Sequence, residues 1–370
     1  MPVRLSGFEA ITPAMERTKR QLFTPFRFRH WARLAIVVMS TGEFAGGGGG
    51  GGWGGLGNLH LPNTSSSGKQ LSPLPSIPDN LGATILEYWP WFVAGGIVVV
   101  LLAVAFIYVA SVFRFVLFDS VLNDRCELGA GWRKWQPQGS SYFLWTIGFG
   151  LASMTVMLVL IGGPVILAWR AGIFANPEDH ILLLVVGGFL LLFLGLFLIC
   201  ASAVTAVFAK DFVVPVMALE NRGVMDGWRR VLPMLGAEKG AFTIYVLMKI
   251  GLALGSAIVF GIINVFVLIG LIIPLGLVAV VVVLSGSAMG LTWTTLTICA
   301  AVLGGGVFLM LLIYVLSFIS TPAMVFFQSY SLHFLGSRYP RLEIELARTA
   351  PPARIVPPLP GTINPLPASS

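Results

Sequence analysis

From Ile250 to Ser337 the chain carries no Asp, Glu, Lys or Arg, and shorter gaps of the same kind run from Tyr88 to Phe113, Trp135 to Trp169 and Ile181 to Ala209. A helix needs about 20 apolar residues to cross a bilayer core. Each shorter gap holds one crossing, and the longest holds two with residues to spare. A soluble domain carries about 25% charged residues, whereas this chain has 11%, against 56% hydrophobic. That leaves too little polar surface to face water. In lipid a helix pairs its own backbone groups, so the expected fold is an all-α integral membrane protein.

Lys and Arg fall into four clusters: Arg4 to Arg33 at the start, Arg114 to Lys134, Lys210 to Lys239, and Arg338 to Arg354. By the positive-inside rule all four face the cytoplasm, and the chain crosses an even number of times between them. The net charge of +7 is spent beside apolar segments. This points to anionic lipid headgroups rather than nucleic acid.

This parity predicts about six transmembrane helices as three helical hairpins, each followed by an amphipathic interfacial segment. The spans fall at about 32–52, 91–113, 142–169, 181–208, 242–265 and 293–318. A seventh crossing at 266–290 would put the basic tail outside, so a re-entrant or interfacial hairpin around Pro274 is expected there. Residues 1–31 read as a basic amphipathic segment. Residues 32–338 form the membrane bundle, 46–87 a Gly/Ser/Pro-rich extracytoplasmic loop, and 339–370 a Pro-rich disordered tail. Such tails mostly stay solvated, and some dock a protein partner. The N- and C-termini are both expected in the cytoplasm.

The connectors repeat a motif. Gly131-Trp132-Arg133-Lys134-Trp135-Gln136-Pro137 is echoed at Gly227-Trp228-Arg229-Arg230-Val231-Leu232-Pro233. Trp132, Arg133, Lys134, Trp228, Arg229 and Arg230 are the residue types that hold anionic headgroups, and Trp with basic residues also anchors most membrane helices at the interface. Pro215 and Pro322 each follow a span, where loss of an amide donor can turn the chain along the surface. Gly162, Gly163, Pro164 and Pro274 are further candidates for helix breaks, which in transporters mark binding sites. No polar side chains gather near Pro164 or Pro274 in the sequence.

Other chemistry is sparse. The cysteines Cys126, Cys200 and Cys299 have no metal-ligand spacing, and neither do the histidines His30, His60, His180 and His333. The Glu178-Asp179-His180 turn reads as a helix start capped by Asn176. The Gly run after Gly46 lacks the Gly-Lys-Ser/Thr of a phosphate loop. Lys249 alone places a charge inside a span. It either snorkels to the headgroups or pairs in the interior with Asp211 or Glu220. No catalytic, metal or cofactor-binding residue emerges.

Phe212-Val213-Val214-Pro215-Val216-Met217 leading to Gly227-Trp228-Arg229-Arg230 and Pro233, with the basic stretch before Trp31 and the closing Pro322 segment, resembles a group of prokaryotic membrane proteins. These are related to the membrane domain fused to some glycerophosphodiester phosphodiesterases. The resemblance runs from about Ile11 to Tyr339. It implies a six-helix bundle in the cytoplasmic membrane and brings no catalytic residues. The phosphodiesterase barrel itself takes about 250 residues, and no such soluble stretch exists here. The expected function is therefore non-enzymatic interaction with lipids or membrane partners. A channel or transporter for an apolar or amphiphilic substrate is the alternative, and an embedded enzyme comes third.

Overall fold

The computed structural model describes residues 5–24, 27–42, 81–174, 177–288 and 295–349. The helices are α1 (Ile11–Phe23), α2 (Phe28–Thr41), α3 (Leu81–Asn123), α4 (Leu128–Met157), α5 (Gly163–Arg170), α6 (Ile181–Phe208), α7 (Val214–Glu220), α8 (Val224–Ala237), α9 (Lys239–Ala288), α10 (Thr295–Gly336) and α11 (Pro340–Thr349). No strand occurs among the described residues. Five helical runs are long and apolar enough to cross a membrane: Val93–Asn123, Leu128–Arg170, Pro177–Glu220, Lys239–Leu277 and Ala301–Gly336. They fit a multi-pass membrane protein.

The shortest of these runs has 31 residues, or about 46 Å at about 1.5 Å per residue, against a hydrocarbon core of about 30 Å. The surplus falls at one end, where the packed core lies. Phe115, Phe118, Phe212, Met217, Tyr245, Tyr330, Phe334 and Leu335 are buried there. Farther along, Leu182, Phe197, Ile262, Phe266 and Met310 are exposed. The division has a physical cause. Apolar side chains near water must cover one another, whereas lipid tails supply no hydrophobic drive for helices to pack.

All four basic clusters meet at the packed end. Arg17 of α1 donates to the carbonyls of Val121 and Leu122 at 3.0 and 2.7 Å, capping the end of α3. Arg338 donates to the Leu5 carbonyl at 3.0 Å and to Glu238 at 2.9 Å. The Tyr339 hydroxyl donates to Glu220 at 2.7 Å, and Gln138 donates to Asn221. Residues far apart in sequence are thereby stitched into one polar layer.

Several expectations need correction. The first span, placed at 32–52, is helical only from Phe28 to Thr41, with Gly42 at φ 71° closing it. Gly takes that left-handed conformation without a Cβ penalty. Residues 43–80, with most of the low-complexity loop, lie outside the described part. At about 21 Å, α2 is shorter than a hydrocarbon core of about 30 Å. It lies antiparallel to α10 and α3, since the Trp31 indole donates to the Phe318 carbonyl at 2.9 Å and Gly42 abuts Phe106.

Among the described residues, which reach 288 here, the re-entrant or interfacial hairpin expected over 266–290 does not form. The helix α9 continues through Pro274 to Ala288. One missing amide donor costs less in lipid than a turn that leaves several backbone groups unpaired. Pro322 also lies inside an uninterrupted helix. The first connector has no separate interfacial helix. After Asp124, at φ 52°, the chain turns directly into α4, whose opening turns carry the Gly131–Pro137 motif. The segment at 340–349, assigned to the disordered tail, is the helix α11 with Leu342 buried. Residues 350–370 lie outside the described part.

Candidate functional site

The α6–α7 junction widens into a π-helical turn, Ala209–Val213. Pro215 explains the widening: its ring clashes with the carbonyl a turn earlier and it offers no amide donor. A second π turn, Leu158–Gly162, precedes Pro164 in the same way. Asp211, in the first of these turns, is only 2% exposed. On α9, Tyr245 and Lys249 are one turn apart and share a face. Lys249 forms an ion pair with Asp211, and the Tyr245 hydroxyl donates to the same carboxylate oxygen at 2.9 Å. Lys249 is 4% exposed. Its amine is therefore buried in a pair with Asp211 rather than drawn out to the headgroups.

An aromatic shell closes over this pair. The Tyr245 ring stacks on Tyr330 with centroids 5.0 Å apart, and Phe212 and Phe334 lie at 5.1 and 4.5 Å from it. The Tyr330 hydroxyl donates to the Gly7 carbonyl at 2.8 Å. Outside the shell, Arg338 lies over the Phe334 ring at 4.0 Å. Opposite charges in a low-dielectric pocket attract strongly, which offsets their lost hydration only when they stay paired. The cluster ties α9 to the α6–α7 junction. Glu220, the other expected partner, is held instead by Arg230 at 3.3 Å and by Tyr339. Burial and the hydrogen bond to Glu220 push the Tyr339 hydroxyl up to about 12.

A second polar layer surrounds α1. Arg17 is 4% exposed, and desolvation lowers its pKa although Asp124 opposes the shift. Burial raises the Asp124 carboxyl against the pull of Arg17, Arg20 and His30. Burial likewise lowers His30, helped by Arg27 and Arg33 and opposed by Asp124.

The six motif residues do not converge on one point. Trp132 packs on Phe113 at 5.5 Å and edge-on to Tyr108 at 6.0 Å. Arg133 is exposed, and Lys134 pairs with Asp119 at 2.9 Å. Trp228 meets Trp145 of α4 at 5.9 Å, and Arg229 lies 3.7 Å from Asp226. The motif glycines are close-approach positions. A Cβ on Gly131 would lie 3.2 Å from Val116, and one on Gly227 would lie 2.7 Å from Val213. Among the described residues no group of three His, Cys, Asp or Glu side chains gathers to hold a metal.

Sequence reasoning missed one feature outright. A groove of about 560 Å³ runs between α4 and the start of α8, lined by Ser141, Leu144, Trp145, Phe149, Gly223 and Asp226 among others. Trp145 and Phe149, one turn apart on α4, were its signal in the sequence.

A family model described as a family of unknown function (DUF7544) matches residues 5–344. The chain belongs to that family. No curated protein and no solved structure matches the chain. The DUF7544 match shows no link to glycerophosphodiester phosphodiesterases. It spans α1 through the first half of α11, and thus takes in both connectors and the buried Asp211–Lys249 pair.

Proposed function

We propose that this DUF7544 protein is a non-enzymatic polytopic membrane protein whose basic end engages anionic lipid headgroups at the cytoplasmic surface of a prokaryotic inner membrane. The gathering of four basic clusters into one layer, beside helices whose apolar faces remain open, carries this reading. A cation-rich rim attracts anionic lipid by roughly 1 kcal/mol per Lys or Arg near the surface. Arg133, Arg229 and Arg230 lie on that rim, with Trp132 and Trp228 at its inner edge. The positive-inside rule puts this end in the cytoplasm. The distant kinship with the membrane domain of glycerophosphodiester phosphodiesterases is part of the same proposal, as is docking of a partner protein by the Pro-rich tail.

The test is thermal unfolding of the purified full-length chain in nanodiscs of phosphatidylcholine with and without phosphatidylglycerol. The proposal expects a higher melting temperature with the anionic lipid, and a gain that shrinks in high salt. Equal melting in both lipids would remove it.

A second reading, transport of an apolar or amphiphilic substrate, is favoured by the π turn at Leu158–Gly162, since such turns recur where helices bend around ligands. Flux of a fluorescent fatty acid through proteoliposomes, absent from empty liposomes, would support it over the first reading.

A further inference from the structure

We propose that the groove between α4 and α8 seats one phospholipid with a net anionic headgroup, its chain along α4 and its phosphate beside Arg222. This rests on the lipid-binding reading above and names where the lipid sits and what recognises it.

The groove has the size and polarity of a lipid site. Its volume of about 560 Å³ falls in the range of about 300–1,000 Å³ typical of small-molecule pockets. One wall is Leu144, Trp145, Gly148, Phe149 and Ala152 of a helix that also crosses the membrane. The wall is built from stacked rings, with Trp145 on Phe149 at 5.1 Å and 5° and Trp145 against Trp228 at 5.9 Å. From Ser141 to Ala152 it rises about 16 Å, the depth of one leaflet of a hydrocarbon core about 30 Å thick. A lipid supplies both a chain of that reach and a headgroup at that level.

The mouth selects charge. Ser141 sits at the corner, where its hydroxyl accepts from the Val224 amide at 3.4 Å. Asp226 lines the mouth but lies 3.7 Å from Arg229, which offsets its charge. Arg222, next to the lining residue Gly223, is exposed and forms no salt bridge or side-chain hydrogen bond among the described residues, its charge contributing only to the field that keeps Glu220 ionised. Its neighbours are occupied: Arg230 pairs with Glu220 and Arg229 with Asp226. A guanidinium one residue along the chain from the mouth of an apolar trough can complement a phosphodiester whose chain lies in the trough.

Gly148 provides a clean block. A Cβ built on it meets nothing within 4 Å, so a larger side chain there would fill the trough without displacing protein. Leucine is also the better helix former. The experiment measures phosphatidylglycerol retained by the full-length protein, using native mass spectrometry and titration into phosphatidylcholine nanodiscs. The protein is compared with Gly148→Leu, Arg222→Gln and Ala152→Phe. Wild type should retain phosphatidylglycerol and ignore soluble glycerol phosphate. Gly148→Leu should lower its affinity at least tenfold while melting as wild type does without added lipid. Arg222→Gln should bring phosphatidylglycerol down to the level of phosphatidylcholine. Should Gly148→Leu not fold, Ala152→Phe fills the same trough farther along and carries the same expectation. Wild-type affinity in a folded fill variant would overturn the groove while leaving binding to the basic rim intact. Wild type without preference for phosphatidylglycerol would overturn both, and equal binding of glycerol phosphate would overturn the role of the chain.

Discussion

Replacing Lys249 with Met removes one half of an ion pair whose side chains are 4% and 3% exposed. The methionine keeps the length and apolar stem but leaves the Asp211 carboxylate buried with the Tyr245 hydroxyl still donating to it and its counter-charge gone. Stranding one member of a buried pair costs about 3–5 kcal/mol. Asp211→Leu should cost a similar amount. It adds about 1–3 kcal/mol for the Tyr245 hydroxyl, which loses its acceptor. Removing both charges together is different. Apolar replacement of a whole buried pair is neutral or stabilising by about 1–4 kcal/mol, which offsets the orphaned hydroxyl. The Asp211→Leu/Lys249→Met double variant should therefore lie near wild type. The coupling energy between the sites should then approach the sum of the two single losses, about 7 kcal/mol or more. Equilibrium unfolding by SDS in bicelles, run on wild type, both singles and the double, measures it. A Lys249→Met protein within about 1 kcal/mol of wild type, or additive losses in the double, would refute the buried pair.

Two further outcomes follow from the packing and the charges. A Cβ on Gly139 would meet the Val112 backbone Cα at 2.9 Å, so Gly139→Ala should lose about 1–3 kcal/mol by overpacking, read as a lower melting temperature, while the open Gly236→Ala should not. His30 is less basic in the folded chain than its ordinary 6.5, mainly through burial; the folded state then binds this proton less readily than the unfolded state, so the contribution is whole above pH 6.5 and is lost as pH falls below it. His30→Gln should flatten the fall in melting temperature just below that pH, and an unchanged profile would show that His30 does not set it.

Much of the architecture was legible in the spacing of charges. The gaps between Lys and Arg marked the five long helices because a charge in lipid is costly. Helix ends were harder to read. Phe115, Phe118 and Val121 continue α3 past its expected close at 113, since an amphipathic run next to water looks like a connector. Pro274 and Pro322 were read as breaks, yet in lipid the surrounding helix outlasts one missing donor. Lys249 had two acidic candidates in the same connector. The π turn that aims Asp211 inward depends on the contest between Pro215 and the preceding carbonyl, which no residue pattern displays. The Gly131 and Gly227 motifs were visible as a repeat, but their use as close contacts with Val116 and Val213 required three dimensions. The groove beside Trp145 was hidden for the same reason, because α8 lies far away in sequence.

Headgroup binding of the proposed kind requires the basic layer to lie at the cytoplasmic surface. The direct measurement places topology reporters beside Lys69, Asn176, Leu235 and the final residue of the intact chain and scores each for periplasmic or cytoplasmic activity. The expected pattern is outside, outside, inside, inside. A periplasmic signal from Leu235 or from the C-terminus would turn the basic layer outward and contradict both the orientation and the headgroup binding built on it.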